Sequence, residues 1–203
     1  MTSTEKSKKR YNRIAKYFDS MEKPMGTSGF DQWRKELVQQ ATGKILEVGV
    51  GTGKNLQYYA KDVDLTVIDF SKNMLDKARA KYKGDLLKMN FLEMDVQNMD
   101  FEDNSFDTVL TSCVFCSVPD PVKGLQEIKR VMKPDGQLIM LEHVRSSNRV
   151  LGLFMDIFNF IPLNIIGDNI NRRTAENLKK AGFTNTKETK IWIDIVKFFH
   201  VKN

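Results

Sequence analysis

Residues 47–53, Glu47-Val48-Gly49-Val50-Gly51-Thr52-Gly53, decide how the rest of the chain is read. Ile45 and Leu46 lead into them, so a strand runs into a glycine turn. Glycines at alternate positions 49, 51 and 53 let the backbone turn tightly and let a ligand lie against the main chain. The spacing is wrong for a pyrophosphate loop, because Lys54 stands where G-x-G-x-x-G would place its third glycine. It is not a P-loop either, since no G-K-[ST] follows at the required distance. Glu47, inside the strand just before the turn, suits a cationic group held by a charge-assisted contact or through water.

Outward from this turn the chain alternates strand and helix. A helix is expected over 54–60, a strand over 65–69, and a helix over 71–82 opened by a Ser71 cap. Strands follow over 87–94 and 106–111. A helix over 121–132 has proline at its first position, Lys133-Pro134-Asp135-Gly136 is a turn, and 137–144 is a fifth strand with the buried run Leu138-Ile139-Met140-Leu141. Such alternation means an open, mainly parallel sheet with helices on both faces. Ligands of such sheets bind beyond the carboxyl ends of the strands. Asp69 ends the second strand, where a carboxylate accepts ribose hydroxyls. Asp95, followed by Val96, ends the third, where a carboxylate accepts an adenine amino group.

Taken in order, E-V-G-V-G-T-G, V-I-D-F-S-x-x-M-L, M-D-V, F-D-T-V-L and L-Q-E-I-K-R-V-M-K-P-D-G-Q-L resemble a class I S-adenosylmethionine-dependent methyltransferase over roughly residues 43–145. The resemblance implies a Rossmann-like α/β domain: a mainly parallel seven-stranded sheet, helices on both faces and an antiparallel last strand. It implies S-adenosylmethionine as cofactor and S-adenosylhomocysteine as product. Glu47, Gly49, Gly51 and Gly53 are then expected around the methionine part, and Asp69 at the ribose beside Ser71. Phe70 and Met74 flank the adenine, Asp95 and Val96 read its edge, and Cys113 lies at the cofactor or substrate.

Tyr11-Asn12-Arg13-Ile14-Ala15-Lys16-Tyr17-Phe18-Asp19 resembles the Y-D-x-I-A-x-x-Y-D opening helix of quinone-biosynthesis-type and small bacterial phospholipid N-methyltransferases. Asn12 replaces an acid and Phe18 the second tyrosine, which leaves Tyr17 or Tyr11 to supply a hydroxyl. Val118-Pro119-Asp120-Pro121 is similar to the same phospholipid enzymes. Cys116-Ser117-Val118-x-x-Pro121, Glu142-His143-Val144 and Gly167-Asp168 are similar to the membrane-associated thiol methyltransferase-like proteins of animals. The expected acceptor is the amine of phosphatidylethanolamine, methylated successively towards phosphatidylcholine. A small thiol, a quinone precursor methylated at carbon, and a non-enzymatic S-adenosylmethionine sensor are the alternatives. Ser112-Cys113-Val114-Phe115 stands where an exocyclic base-amine enzyme would carry Asn/Asp-Pro-Pro-aromatic, so no nucleic-acid partner is expected.

The flanks add the acceptor side. Tyr11, Ile14, Ala15 and Phe18 share one face of a helix expected over 10–23. Met25-Gly26-Thr27-Ser28-Gly29 then breaks the chain, and a helix over 30–41 carries Phe30, Trp33, Leu37 and Val38 on one side. Seven basic against three acidic residues in 1–24 hold +4 of the formal net charge of +6. That leader attracts an anionic surface, or is a solvated tail. Residues 150–167 are rich in Leu, Ile and Phe but interrupted by Asp156, Asn159, Pro162 and Asn164, which suits a lid or a segment dipping into a membrane face. Arg145, Arg149, Arg172 and Arg173 flank it and suit a phosphate. His143, at the ligand edge of the fifth strand, is the expected proton acceptor, with Tyr17 beside it as a catalytic candidate. Tyr11, Phe18, Arg145 and Arg172 are the expected substrate contacts. A helix from Arg172 to Ala181 ends at Gly182, and strands over 183–191 and 193–201 close a single domain. Its parts are a helical cap (1–42), a cofactor core (43–145), an apolar insertion (146–171) and a C-terminal unit (172–203).

The 203 residues are 41% hydrophobic and 29% charged, average for a globular domain. Mean hydropathy is −0.41, and no run of about 18–20 uncharged apolar residues exists to cross a membrane. No secretory signal is visible, and two cysteines cannot build a disulfide framework, so a cytoplasmic location, at most peripheral to a membrane, is expected. Cys113-x-x-Cys116 has no second ligand pair nearby, so no metal is expected.

Overall fold

The computed structural model describes residues 2–25, 29–82 and 89–203, with backbone alone for residues 22–25. Seven strands, β1 (Ile45–Val48), β2 (Leu65–Asp69), β3 (Met89–Glu93), β4 (Phe106–Ser112), β5 (Met132–His143), β6 (Asn185–Trp192) and β7 (Val196–Lys202), form one sheet in the order β3-β2-β1-β4-β5-β7-β6. β1 to β5 are parallel; β7 runs antiparallel to both β5 and β6. β1 pairs with β2 on one side and β4 on the other, so the chain reverses its winding there and leaves a crevice at the carboxyl ends.

β1 and β2 are buried at every position, as strands covered on both faces must be. Alternate residues of the neighbouring strands point to opposite faces. Val109, Leu138 and Met140 meet Leu125 and Ile128 of α4 (Pro121–Val131) and Leu178 of α7 (Thr174–Lys180). Leu110, Ile139 and Leu141 instead meet Leu37 and Val38 of α2 (Asp31–Gln39). Leu75 and Ala78 of α3 (Lys72–Lys81) pack with Leu65 and Val67. Ser71 and Asp120 cap α3 and α4, accepting the amide hydrogens of Met74 and Lys123.

Three local expectations are corrected. The helix expected from residue 10 begins at Ser3: α1 spans Ser3–Met25. Thr2 Oγ1 accepts from the Glu5 amide, and the Glu5 carboxylate accepts from the Thr2 amide, a reciprocal cap that starts the helix early. The helix expected over 54–60 is a single 3-10 turn, Leu56–Tyr58, and Tyr59 is already extended. Asn55 is held to Glu47 by its side chain, so the chain is anchored to β1 rather than free to wind on. The turn at 133–136 is absorbed into β5 as a bulge: Phe106 pairs with Met132, Thr108 with Gln137. The apolar insertion is two helices, α5 (Arg149–Phe158) and α6 (Phe160–Ile165), which meet at Asn159, whose carboxamide accepts from the Ile170 amide and ties this junction to the segment that follows. Residues 26–28 of the expected break and 87–88 of the expected third strand lie outside the described residues.

Candidate active site

A cavity of about 330 Å³ lies at the crevice, within the size range of small-molecule sites. Its floor is the carboxyl ends of β1, β2 and β4. Its roof is α1, through Thr4, Tyr11, Phe18 and Met21, and its far wall is Ile166, Asp168, Asn169 and Ile170.

Gly49, Gly51 and Gly53 all adopt left-handed backbone conformations, with φ of +67°, +54° and +81°. A Cβ on Gly49 would stand 2.5 Å from Val114, and one on Gly53 3.0 Å from the Ala78 backbone, whereas one on Gly51 would meet nothing within 4 Å. Gly49 and Gly53 are therefore required by packing, and Gly51 leaves open space at the cavity wall.

Glu47 is 1% exposed; its Oε1 accepts from Asn55 Nδ2 at 3.0 Å. Glu47 Oε2 and Asn55 Oδ1 are both buried without a hydrogen-bond partner. Burial lifts the Glu47 carboxyl to about 7. Asp69 accepts the Gly51 amide on Oδ2 (2.9 Å) and the Ser71 amide on Oδ1 (2.8 Å), and burial lifts it to about 6 despite these bonds. Phe70, Met74 and Val96 line the same end. Asp95 is held by Gln97, whose amide nitrogens donate to it at 2.9 and 3.0 Å. Cys113 takes a left-handed φ of +54° and its amide donates to Leu141 O at 2.8 Å, which carries the chain sharply out of β4 along the cavity.

His143 lines the cavity, and burial lowers its pKa, so the ring is neutral at neutral pH. Its neighbour Glu142 is fully buried, is lifted to about 7 by burial, and accepts from Thr111 Oγ1 (2.9 Å) and from the Val114 and Phe115 amides (3.3 Å each). Glu142 thus shapes the loop after β4 and leaves His143 to the cavity. Tyr11 donates its hydroxyl to Asp168 Oδ1 at 2.5 Å, and its ring lies 5.4 Å from Phe70 and 6.2 Å from Phe18.

Of the expected site residues, the structure gathers Glu47, Gly49, Gly51, Asp69, Phe70, Met74, Asp95, Val96, Cys113, Tyr11, Phe18 and His143 at one cavity. Gly53 stands just behind the turn against α3. Four others are corrected. Tyr17 is 61% exposed on the outer side of α1 and does not line the cavity, because the helical turn that points Tyr11 and Phe18 inward points Tyr17 out. Arg145 is clamped by Asp156 (Nη2–Oδ2 2.8 Å) away from the cavity. Arg172 turns to the carbonyls of Phe115 and Val118, where it braces the loop after β4. Ser71 is buried as the α3 cap and donates to Asn12 Oδ1 at 2.7 Å. Asn55, Gln97, Glu142 and Asp168 are the additions. Glu142 and Asp168 fall within the motifs quoted above, and Asp168 directly follows the left-handed Gly167 (φ +97°). No group of three or more His, Cys, Asp or Glu side chains able to hold a metal occurs among the described residues, and neither Cys113 nor Cys116 is in a disulfide.

Residues 46–140 match the sequence family of methyltransferase domains. Over 163 residues the chain is 31% identical to the ubiquinone/menaquinone biosynthesis C-methyltransferase UbiE of Bdellovibrio bacteriovorus, covering 77% of this chain and 68% of that one. Over 103 residues it is 39% identical to the phosphatidylethanolamine N-methyltransferase of Cereibacter sphaeroides, covering 50% of this chain and 51% of the relative, so about half of that relative's length is matched. A SAM-dependent methyltransferase of Thermotoga maritima shares the fold with a TM-score of 0.69 at 20% identity, over 94% of this chain and 98% of that one. The chain belongs to the class I S-adenosylmethionine-dependent methyltransferases, and S-adenosylmethionine is its cofactor. The cavity fits that molecule. The orphaned acceptors Glu47 Oε2 and Asn55 Oδ1 suit its cationic amino end, and the open space at Gly51 lets it lie on the main chain.

Proposed function

We propose that this methyltransferase acts on an amine carried by a membrane lipid, the headgroup of phosphatidylethanolamine, and adds methyls successively towards phosphatidylcholine. The supporting observation is the surface beside the cavity. On α5 and α6, Val150 (80% exposed), Leu153, Phe154, Ile157, Phe160, Ile161 and Ile165 present an apolar face to solvent. Exposed apolar patches of this extent on a monomer mark interaction sites. α1 adjoins it: Arg10 Nη1 donates to Leu163 O at 3.0 Å. The outer side of α1 carries exposed Lys6, Lys9, Arg13 and Lys16 at helical spacing. An apolar helical face edged by cations lies in the interface of an anionic bilayer. Similarity to the phosphatidylethanolamine N-methyltransferase supports the acceptor. No described helix is long and apolar enough to cross a membrane.

When bound, S-adenosylmethionine supplies a methyl already activated on a sulfonium. Glu47, Gly49 and Gly51, with Gly53 bracing the turn behind them, would hold its methionine end, Asp69 its ribose, and Phe70, Met74, Asp95 and Val96 its adenine, with Cys113 at the acceptor side. Tyr11 and Phe18 of the roof exclude water and orient the acceptor. His143, neutral because it is buried, takes the proton an amine must lose before it attacks.

Radiolabelled S-adenosylmethionine, offered with phosphatidylethanolamine liposomes beside a panel of small thiols and quinone precursors, tests the reading. Label in the lipid is expected. Label only in thiols or in quinone carbons overturns the acceptor, and the similarity to UbiE makes the quinone arm the informative control. Reversing Lys6, Lys9, Arg13 and Lys16 to Glu is expected to abolish sedimentation with anionic vesicles; undiminished sedimentation removes the membrane from the proposal.

A further inference from the structure

The hairpin of β6 and β7 ends in a three-residue turn, Ile193-Asp194-Ile195, whose sequence departs from what its backbone asks for. Ile193 takes φ +52°, a left-handed conformation that suits Gly or Asn and strains a β-branched residue. Its side chain gains little from the fold in return: Ile193 is 67% exposed, and Trp192 beside it 50%. Their neighbours Ile191 and Ile195 pack against the cluster of Leu141 and Val196. The hairpin is therefore anchored, while Trp192 and Ile193 face water.

This tip stands at the cavity's edge of the sheet. β7 runs antiparallel to β5 and starts opposite His143, so the turn before it lies beyond the carboxyl end of β5, where the cavity opens. The Val144 amide donates to Ile195 O at 2.8 Å. Asp194 accepts from Ser146 Oγ at 2.7 Å and from the Ser147 amide and hydroxyl at 2.6 Å each. Those serines lead directly into Asn148, the cap of α5, and into the exposed Val150. The tip is thereby tied to the start of the apolar face of α5 and α6. Charge at this edge is sorted by sign. Asp194 is turned in to the serines, Asp156 to Arg145 and Glu188 to Lys197, whereas Lys190 and Arg149 are exposed. An apolar tip carrying a tryptophan and edged by cations complements the headgroup region of an anionic bilayer, where Trp rings settle.

We propose that the β6–β7 tip, through Trp192 and Ile193, inserts into an anionic lipid bilayer as an anchor separate from α1. The inference rests on the membrane reading above and adds to it the residues that seat the cavity on the lipid. Contact through the tip as well as through α5 and α6 holds the carboxyl edge of the sheet, and with it the cavity, against the headgroups. Burial in lipid also gives the strained Ile193 the apolar surroundings that water denies it.

Trp33 and Trp192 are the two tryptophans of the chain, so Trp33→Phe leaves Trp192 as the sole reporter. In the full chain with that change, vesicles of phosphatidylglycerol and phosphatidylcholine are expected to shift Trp192 emission to shorter wavelength. Lipid brominated on its acyl chains is expected to quench it. Ile193→Asn, made in the otherwise unaltered chain, suits the left-handed turn. It is expected to keep or raise the melting temperature and to leave S-adenosylhomocysteine affinity within about twofold, yet to weaken vesicle binding about tenfold. Absence of both shift and quenching, or undiminished vesicle binding by Ile193→Asn, overturns the anchor. If that protein still sediments with the vesicles and methylates phosphatidylethanolamine, the membrane reading stands without the tip. A quenched Trp192 in a protein that transfers no methyl to that lipid keeps the anchor and sinks the acceptor. A shift that appears on raising the protein concentration without lipid also overturns the anchor, because the tip then meets a second copy of the chain.

Discussion

The two ends of the cavity are built differently. The end expected to take the cofactor is built from β1, its glycine turn, and carboxylates at or just past the ends of β2 and β3. Glu47 and Asp69 there are deeply buried, and Asp69 is fixed by hydrogen bonds from the backbone. The end proposed for the acceptor is assembled from residues far apart. Tyr11 and Asp168 meet across 157 positions, and the wall beside them leads into helices whose apolar side faces solvent. One end is specified by local backbone geometry, the other by docking of segments, so substitutions should separate the two.

The largest expected effect is at Gly49. An alanine there combines a left-handed φ with a Cβ 2.5 Å from Val114. Strain and overpacking together should cost on the order of 2–5 kcal/mol, read as a lower denaturation midpoint. Gly51→Ala has open space and should lose only about 1–2 kcal/mol from strain, while its cofactor affinity falls. Equal stability losses at the two glycines would contradict this division. Asp69→Ala should weaken S-adenosylmethionine binding by about 100-fold, since charged hydrogen bonds are each worth roughly 1.5–3 kcal/mol; unchanged calorimetric affinity would break the ribose assignment. His143→Ala should lower turnover by about 100-fold, the scale of general base catalysis, with cofactor affinity intact.

A smaller effect is pH dependence. Glu47 and Glu142 are lifted to about 7 and Asp69 to about 6, so the fold retains protons that the unfolded chain has released. Stability of the cofactor-free protein therefore falls as pH rises from the ordinary carboxylate range through about 7. Asp19, Asp107, Glu127 and Asp194, held low by their partners, act oppositely at more acid pH, and His143 and His200, lowered by burial, oppose the trend within the interval, where the three lifted carboxyls set the net sign. The melting temperature should be lower at pH 8 than at pH 5.5, and Glu47→Gln should flatten the trend; a rise across that interval would refute the sign. Cofactor affinity should climb over the same interval as Glu47 and Asp69 ionise. Smallest of all, Tyr17→Phe should leave turnover within twofold, and a larger loss would return Tyr17 to the site.

The contrast also explains what could be read before the fold was seen. The turn at 49–53, Asp69 and Asp95 sit at or just past strand ends whose hydrophobic runs announce them, so their convergence on one cavity is legible in the sequence. Tyr11 and Phe18 were legible from helical spacing, and the same spacing places Tyr17 outside. Arg145 and Arg172 look like free cations in a string of letters, but Asp156 and two backbone carbonyls claim them in space. The helix expected after Gly53 failed because a side chain 8 residues away, Glu47, holds Asn55. The early start of α1 was written in Thr2 and Glu5 and is a matter of capping, not of hydrophobic pattern.

α1 is stitched down at points that matter to the loops beneath it. Asn12 accepts from Ser71 and from the Asn73 amide, Asp19 accepts from Thr52 and pairs with Lys81, and Thr4 meets the Gln97 that holds Asp95. These ties make the first helix and the cofactor loops one cooperative opening unit. Amide hydrogens around residues 11–19 and those of 49–53 should exchange with solvent at a common rate, and a ligand seen by one group is felt by the other. The beginning of the chain is in this sense a gauge of what occupies its middle.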